Sequence, residues 1–309
     1  MLRWTWPVLL CACASIPLPP SGLVRPPPKA SQDVEVCAVV GSEDHRQRWL
    51  GVAELSFAGW VTTIISVVVR HPSGVLVIDP AFGRALPGDL RAAPLWSRPV
   101  LGDLSNKRPI GDLLREVGIA PAEVKYTALS HAHWDHATGL ADLPLAVAWL
   151  SRAEAQWWPT LEGQFDHGVM PAHLRRAASR LTPFDFDGPP VLGFAASHDF
   201  FGDGSVIAVP LPGHTPGSTG YLLAGQGGKR WLYIGDTTWT FRGVEKPVHK
   251  NPVLGATVDF DPEQLGVTIG LLHALLLEHP EVQIVPAHDL QDFMPRCEKV
   301  FPSGPAASP

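Results

Sequence analysis

No stretch of this 309-residue chain is rich in lysine or arginine; 24 basic residues stand against 30 acidic ones, for a formal net charge of -6. Without a basic footprint to neutralise phosphates, the composition argues against a nucleic-acid partner. The apolar region Trp4 to Ala14 is too short to cross a bilayer, which takes about 20 apolar residues. Cysteine is scarce, with four in the chain. Two of them, Cys11 and Cys13, lie in that region, which leaves Cys37 and Cys297 near opposite ends of the folded part. They either form a disulfide joining the two ends in an oxidising compartment or remain free core thiols, and both readings stand. No serine-elbow motif, internal repeat or second-domain signature is visible. Charged residues make up 17% of the chain and hydrophobic ones 45%, which excludes wholesale disorder.

Arg3 followed by the apolar region reads as an export signal over residues 1–14. Leu10-Cys11-Ala12-Cys13 has the form of a bacterial lipoprotein signal, with Cys13 as the lipidated residue and a lipid anchor to a membrane as the consequence. Cleavage near Ala14 with soluble secretion is the competing expectation. A plain apolar tail on a cytosolic protein is the third, because Pro7 interrupts the region. Residues 15–35 carry Pro17-Leu18-Pro19-Pro20 and Pro26-Pro27-Pro28 and read as an extended linker. One folded domain spans 36–300, and 301–309 is a small-residue tail.

What the chain does have is His131-Ala132-His133-Trp134-Asp135-His136, three imidazoles and a carboxylate within six residues. Neutral imidazole and carboxylate are the ligands that borderline cations such as zinc prefer, three or four to a site. In an extended segment His131 and His133 point to one side, and Asp135 and His136 fall on the next turn. Three further turns carry similar chemistry: Pro212-Gly213-His214-Thr215-Pro216-Gly217-Ser218, Gly235-Asp236-Thr237 and Pro286-Ala287-His288-Asp289. Each of the four follows a short apolar run with strand character, namely Tyr126 to Leu129, Ser205 to Val209, Trp231 to Ile234 and Val282 to Val285. Val75-Leu76-Val77-Ile78 reads as a fifth strand, ending at Asp79. Ser151-Arg152-Ala153-Glu154 has the form of a capping box, so a helix carrying Trp157 and Trp158 is expected to begin there.

A His-x-His-x-Asp-His motif, then a later His, an Asp and a final His, resembles the metallo-β-lactamase superfamily from about Val36 to about Asp292. The resemblance implies an α+β fold, the αββα sandwich of two mixed β-sheets with flanking helices. Composition alone supports only an α/β or α+β enzyme. By motif position His131, His133 and His214 would hold one divalent cation and Asp135, His136 and His288 a second, with Asp236 bridging them. Zinc is the expected metal. Two such cations generate hydroxide near neutral pH, and Asp135 would orient the nucleophile or pass its proton to the leaving group.

The resemblance also implies that Asp79 accepts a hydrogen bond from a ligand imidazole and fixes its tautomer, the alternative being that it only opens a turn. It further implies a cleft wall drawn from the segment holding Trp157, Trp158, Phe165, Met170, Phe184 and Phe186, and so a small-molecule substrate with a hydrophobic portion. Either Trp157 or Trp158 is expected to face the cleft. Tyr221 offers a phenol to substrate or is an ordinary strand residue, and His198 is the unassigned histidine to inspect. The motif set looks like lactonase and ester-cleaving branches. Exported β-lactam hydrolysis ranks second and phosphodiester cleavage third. A mononuclear-iron oxidation of persulfides and an exported binding module without turnover are readings of other classes.

Overall fold

Residues alternate along Ile65-Ser66-Val67-Val68-Val69, so that Ile65, Val67 and Val69 face one way and Val68 the other. In the computed structural model, which describes residues 16–19, 29–31, 34–92, 106–163 and 165–298, that alternation separates two packed layers. Cys13, the rest of the export segment and the tail 301–309 lie outside the described residues. The first sheet runs in sequence order: β1 (Glu35–Gln47), β2 (Gly59–His71), β3 (Gly74–Ile78), β4 (Val124–Ala128), β5 (Val147–Ser151) and β6 (Leu181–Phe184). Its first three strands pair antiparallel and the last four parallel.

The second sheet has the order β11 (Val282–Val285), β10 (Arg230–Tyr233), β9 (Thr219–Ala224), β8 (Val206–Pro210), β7 (His198–Asp199). Only its β10–β11 pair is parallel. The helices are α1 (Leu86–Ala92), α2 (Ile110–Glu116), α3 (Trp134–Ala137), α4 (Arg152–Trp157), α5 (Pro171–Ala177), α6 (Phe241–Glu245), α7 (Pro252–Gly255) and α8 (Pro262–Glu278). Each expected strand is present within a residue or two of its expected bounds.

The core between the sheets joins Ile65, Val67 and Val69 to Val206, Ala208, Tyr221 and Leu223. Outside the first sheet, Val68 and Val77 pack on Ile110, Leu113 and Leu114 of α2. Outside the second, Leu222, Leu232 and Ile284 pack on Leu272 and Leu275 of α8. Burial on both faces explains why these strands are nearly continuous in apolar residues. The result is the expected αββα sandwich.

Cys37 and Cys297 form a disulfide with their Cα atoms 4.9 Å apart. It fastens the C-terminal segment to β1, where Ala38 N–H donates to Pro295 O and Cys297 N–H to Ala38 O. Within the proline-rich stretch, Ile16 is buried against Leu265 and Ile269 of α8.

Candidate metal centre

Strand direction gathers the motifs. Because β3, β4 and β5 run parallel, Asp79, the segment 129–136 and the Ser151–Glu154 turn all leave one edge of the first sheet. In the second sheet β8, β10 and β11 share a direction opposite to β9. The turns bearing His214, Asp236 and His288 therefore emerge together, facing that edge. Gly213 and Gly217 allow the backbone to close in around His214. Gly213 has φ +127°, and a Cβ on Gly217 would stand 2.2 Å from Glu154 N.

The structure brings all seven expected residues together, in two groups: His131, His133, His214 and Asp236, and beside them Asp135, His136 and His288. His214 Nε2 lies 3.2 Å from His131 Nε2 and 3.0 Å from His133 Nδ1. Asp236 Oδ1 is 3.2 Å from His136 Nε2 and 3.1 Å from His288 Nε2, while its Oδ2 is 3.6 Å from His214 Nε2. Asp135 Oδ2 stands 3.6 Å from His288 Nε2.

Partners behind the rings decide which nitrogen faces inward. His136 donates its Nδ1–H to Asp79 (2.8 Å), His214 to Asp259 (2.7 Å) and His288 to Thr63 O (2.9 Å). Ser130 Oγ gives its own proton to Asp79 and so accepts from His131 Nδ1 at 2.9 Å. In each ring, when neutral, the lone pair of Nε2 is left pointing at the centre. The inward lone pairs of His131 and His214, 3.2 Å apart, have no proton to share, and among the described residues His133 Nε2, His136 Nε2 and Asp236 Oδ1 are buried without a hydrogen-bond partner. A cation is what this donor set fits.

The electrostatics agree. Burial, and then the neighbouring histidines, push His131 and His133 well below the usual imidazole range. Burial and the Lys250 ammonium lower His214. For His136 burial is again the largest single effect, yet Asp236, Asp79 and Asp135 outweigh it and hold the ring well above that range. His288 is raised against burial by Asp236 and Asp135. Burial likewise opposes ionisation of Asp236, but His288 and His136 keep its carboxyl well below the usual range. Burial thus keeps His131, His133 and His214 as neutral ligands, while the carboxylates favour positive charge beside His136 and His288.

Four further residues support the ligands from behind: Asp79, Lys250, Trp239 and Glu154. Asp79 takes the expected position on His136 and also accepts from Ser130 N–H (2.6 Å) and Tyr233 OH (2.8 Å). Lys250, fully buried, reaches Asp259 at 2.6 Å behind His214. Trp239 donates its indole N–H to Asp236 Oδ2 at 2.9 Å. Glu154 departs from the expected capping box. Ser151 Oγ does cap α4 by accepting Glu154 N–H, but the Glu154 carboxylate turns inward to Ala132 N–H (2.8 Å), Thr215 Oγ1 (2.7 Å) and Gly217 N–H (3.0 Å). It thereby ties the His131–His133 segment to the His214 turn. Its only sequence signal was an acid after a helix cap, which reads equally as the cap itself.

The cleft above the centre is lined by Trp60, Trp134 and Trp239, by Leu50, Ile64 and Leu254, and by Arg46 and Lys107. Neither Trp157 nor Trp158 lines it, contrary to expectation. Trp158 is buried with Leu161 and Leu174, and Trp157 packs edge-on to Phe260. Phe184 joins the core between the sheets, where it packs edge-on to Phe200. Tyr221 is a strand residue whose OH donates to Leu129 O at 2.7 Å, and His198 pairs with Asp187 away from the centre.

The sequence model of the metallo-beta-lactamase superfamily matches residues 61–288. A probable metallo-hydrolase of Mycobacterium tuberculosis is 28% identical over 241 residues, 72% of this chain and 73% of that protein. The N-acyl homoserine lactonase AttM of Agrobacterium fabrum is 28% identical over 204 residues, 62% of this chain and 71% of its own length. Among solved structures, an N-acyl homoserine lactone hydrolase with N-hexanoyl-L-homoserine at its catalytic metal centre superposes with a TM-score of 0.64. It is 17% identical, over 84% of this chain and 96% of that one. AidC, a dizinc quorum-quenching lactonase, superposes with a TM-score of 0.61 at 16% identity, over 90% and 94%. With the sandwich, the gathered histidines and a family match over most of its length, the chain belongs to the metallo-beta-lactamase superfamily of hydrolases.

Proposed function

We propose that this protein hydrolyses a lactone or related ester of a small molecule with an apolar portion. In this reading two divalent cations, zinc by ligand chemistry, are held by His131, His133 and His214 and by Asp135, His136 and His288, with Asp236 shared. The observation that carries it is the Asp236 carboxylate, whose oxygens lie within 3.6 Å of histidine nitrogens from both groups. When bound, such a pair of cations supplies Lewis acidity that brings the pKa of water toward neutrality and polarises a carbonyl.

The protein's own part is positioning and proton transfer. Trp60, Trp134 and Leu254 receive the apolar portion and exclude water from the reacting carbonyl. Asp135 lines the cleft beside His288 and accepts the proton of the attacking water. It returns that proton to the alkoxide as the C–O bond breaks. Trp239 holds Asp236 through its indole N–H, so the shared carboxylate keeps its orientation. The lactonase names among the relatives support the lactone as first substrate class. The Cys37–Cys297 disulfide supports an exported location, because such bonds persist in oxidising compartments.

Zinc-loaded protein is tested against lactones of graded acyl length, simple esters, a β-lactam, a phosphodiester and a persulfide with oxygen. Lactone opening releases one proton per turnover and is followed by pH-stat. Turnover confined to the β-lactam, the phosphodiester or the persulfide would replace the proposal by that chemistry.

A further inference from the structure

Three of the most exposed apolar side chains occupy one neighbourhood, with Leu55 97%, Phe57 77% and Val253 72% exposed. Leu55 and Phe57 lie between β1 and β2 and flank Ser56, whose carbonyl accepts the Trp49 N–H at 3.1 Å. Trp49 O accepts from Asn251 Nδ2 at 3.0 Å, and Asn251 caps α7, the helix that carries Val253. The next residue on two of these segments, Leu50 and Leu254, turns into the cleft. The exposed side chains are thus the outer lip of the cleft's apolar wall.

The N-terminal end of the described chain reaches the same side. Ala53 N–H donates to His249 O at 2.9 Å. The His249 ring and Pro17 both meet α8 at Gly266, where an added Cβ would stand 3.3 Å from His249 Nε2 and 3.9 Å from Pro17 Cδ. Ile16 is buried beside them on Leu265 and Ile269. Cys13, the residue lipidated in the lipoprotein reading of the export segment, precedes Ile16 by three positions, a reach of at most about 10 Å of extended chain.

We propose that the lip formed by Trp49, Leu55, Phe57 and Val253 docks on a lipid bilayer, with the segment upstream of Ile16 anchored in the same bilayer and the cleft mouth turned toward it. An anchor on the segment upstream of Ile16 holds the domain at the bilayer, and the apolar lip adds a second contact that fixes which face turns toward it. The formal charge of -6 makes apolar burial, and not attraction to anionic headgroups, the source of binding. An amphiphilic substrate dissolved in the bilayer then enters along Leu50 and Leu254 without crossing bulk water. This goes beyond the lactone reading and does not depend on it.

Full-length protein on phosphatidylcholine vesicles, followed by peptide-resolved amide hydrogen exchange, tests the proposal. Amides of residues 49–57 and 252–256 are expected to exchange on the order of tenfold more slowly with vesicles than without. Those around Leu145, which is exposed at the opposite edge of the first sheet, should not change. The double variant Leu55→Glu/Phe57→Glu, and separately Val253→Glu, should lose the slowing while keeping the thermal midpoint. Equal exchange with and without vesicles overturns the proposal. So does slowing that grows with protein concentration in the absence of vesicles, which would give the lip to a second copy of the chain.

Discussion

Replacing Glu154 by glutamine separates what its charge does from what its hydrogen bonds do. The side chain is fully buried, and burial pushes its carboxyl from 4.5 up to about 7 even though Thr215, Ala132 and Gly217 all donate to it. Below pH 4.5 the group is protonated in both the folded and the unfolded chain. Between 4.5 and about 7 the unfolded chain loses this proton and the folded one keeps it, so the group's contribution to stability is lost as pH rises. At about 1.36 kcal/mol per pH unit the loss amounts to roughly 3 kcal/mol.

Glu154→Gln removes that titration. One carboxylate oxygen accepts Ala132 N–H alone, and the other accepts both Thr215 Oγ1 and Gly217 N–H. An amide with its oxygen on the second pair turns its NH2 toward the Ala132 N–H and leaves those donors unmatched, at a cost of about 1–3 kcal/mol for each group that is the same at every pH. Urea unfolding in chelator, at intervals from pH 4.5 to 8, should therefore show the variant gaining roughly 3 kcal/mol on the wild type across the range. Parallel profiles for the two proteins would refute the argument, since they mean that Glu154 ionises in the fold as it does in water.

Other perturbations have equally definite outcomes. Asp79→Asn weakens the hold on His136 and Ser130, and zinc titration should report a loss of about 10–100-fold in affinity. Lys250→Met strands the Asp259 carboxylate in the interior at a cost on the order of 3–5 kcal/mol in urea unfolding. Adding Asp259→Asn to it should recover part of that. Cys37→Ser opens a link across 260 positions, and the chain-entropy argument sets its cost at up to about 5 kcal/mol, readable as a lower urea midpoint under non-reducing conditions.

The ligand turns were legible because each is local. A strand-length apolar run followed by His or Asp needs no knowledge of distant chain, and the motif order carried the fold with it. Asp79 was legible for the same reason. Trp60 was not, since whether a β2 side chain faces the cleft depends on where the far sheet's turns arrive. Trp157 and Trp158 misled because an aromatic pair on a short helix after the first motif looks the same whether it lines a cleft or closes a core. Glu154 sits 22 positions from Ala132, Asp259 45 from His214 and Lys250 nine from Asp259, and an isolated charge in sequence reads as solvated surface. Only the fold shows that they are buried and in contact.

Metal content by mass spectrometry, paired with lactone turnover, in wild type and Asp236→Ala tests the central claim most directly. The shared carboxylate predicts about two zinc ions per wild-type chain. For the variant it predicts about one or fewer, with turnover reduced on the order of a hundredfold or more. A variant that keeps both ions and its activity, or a wild type that binds none, would contradict the account.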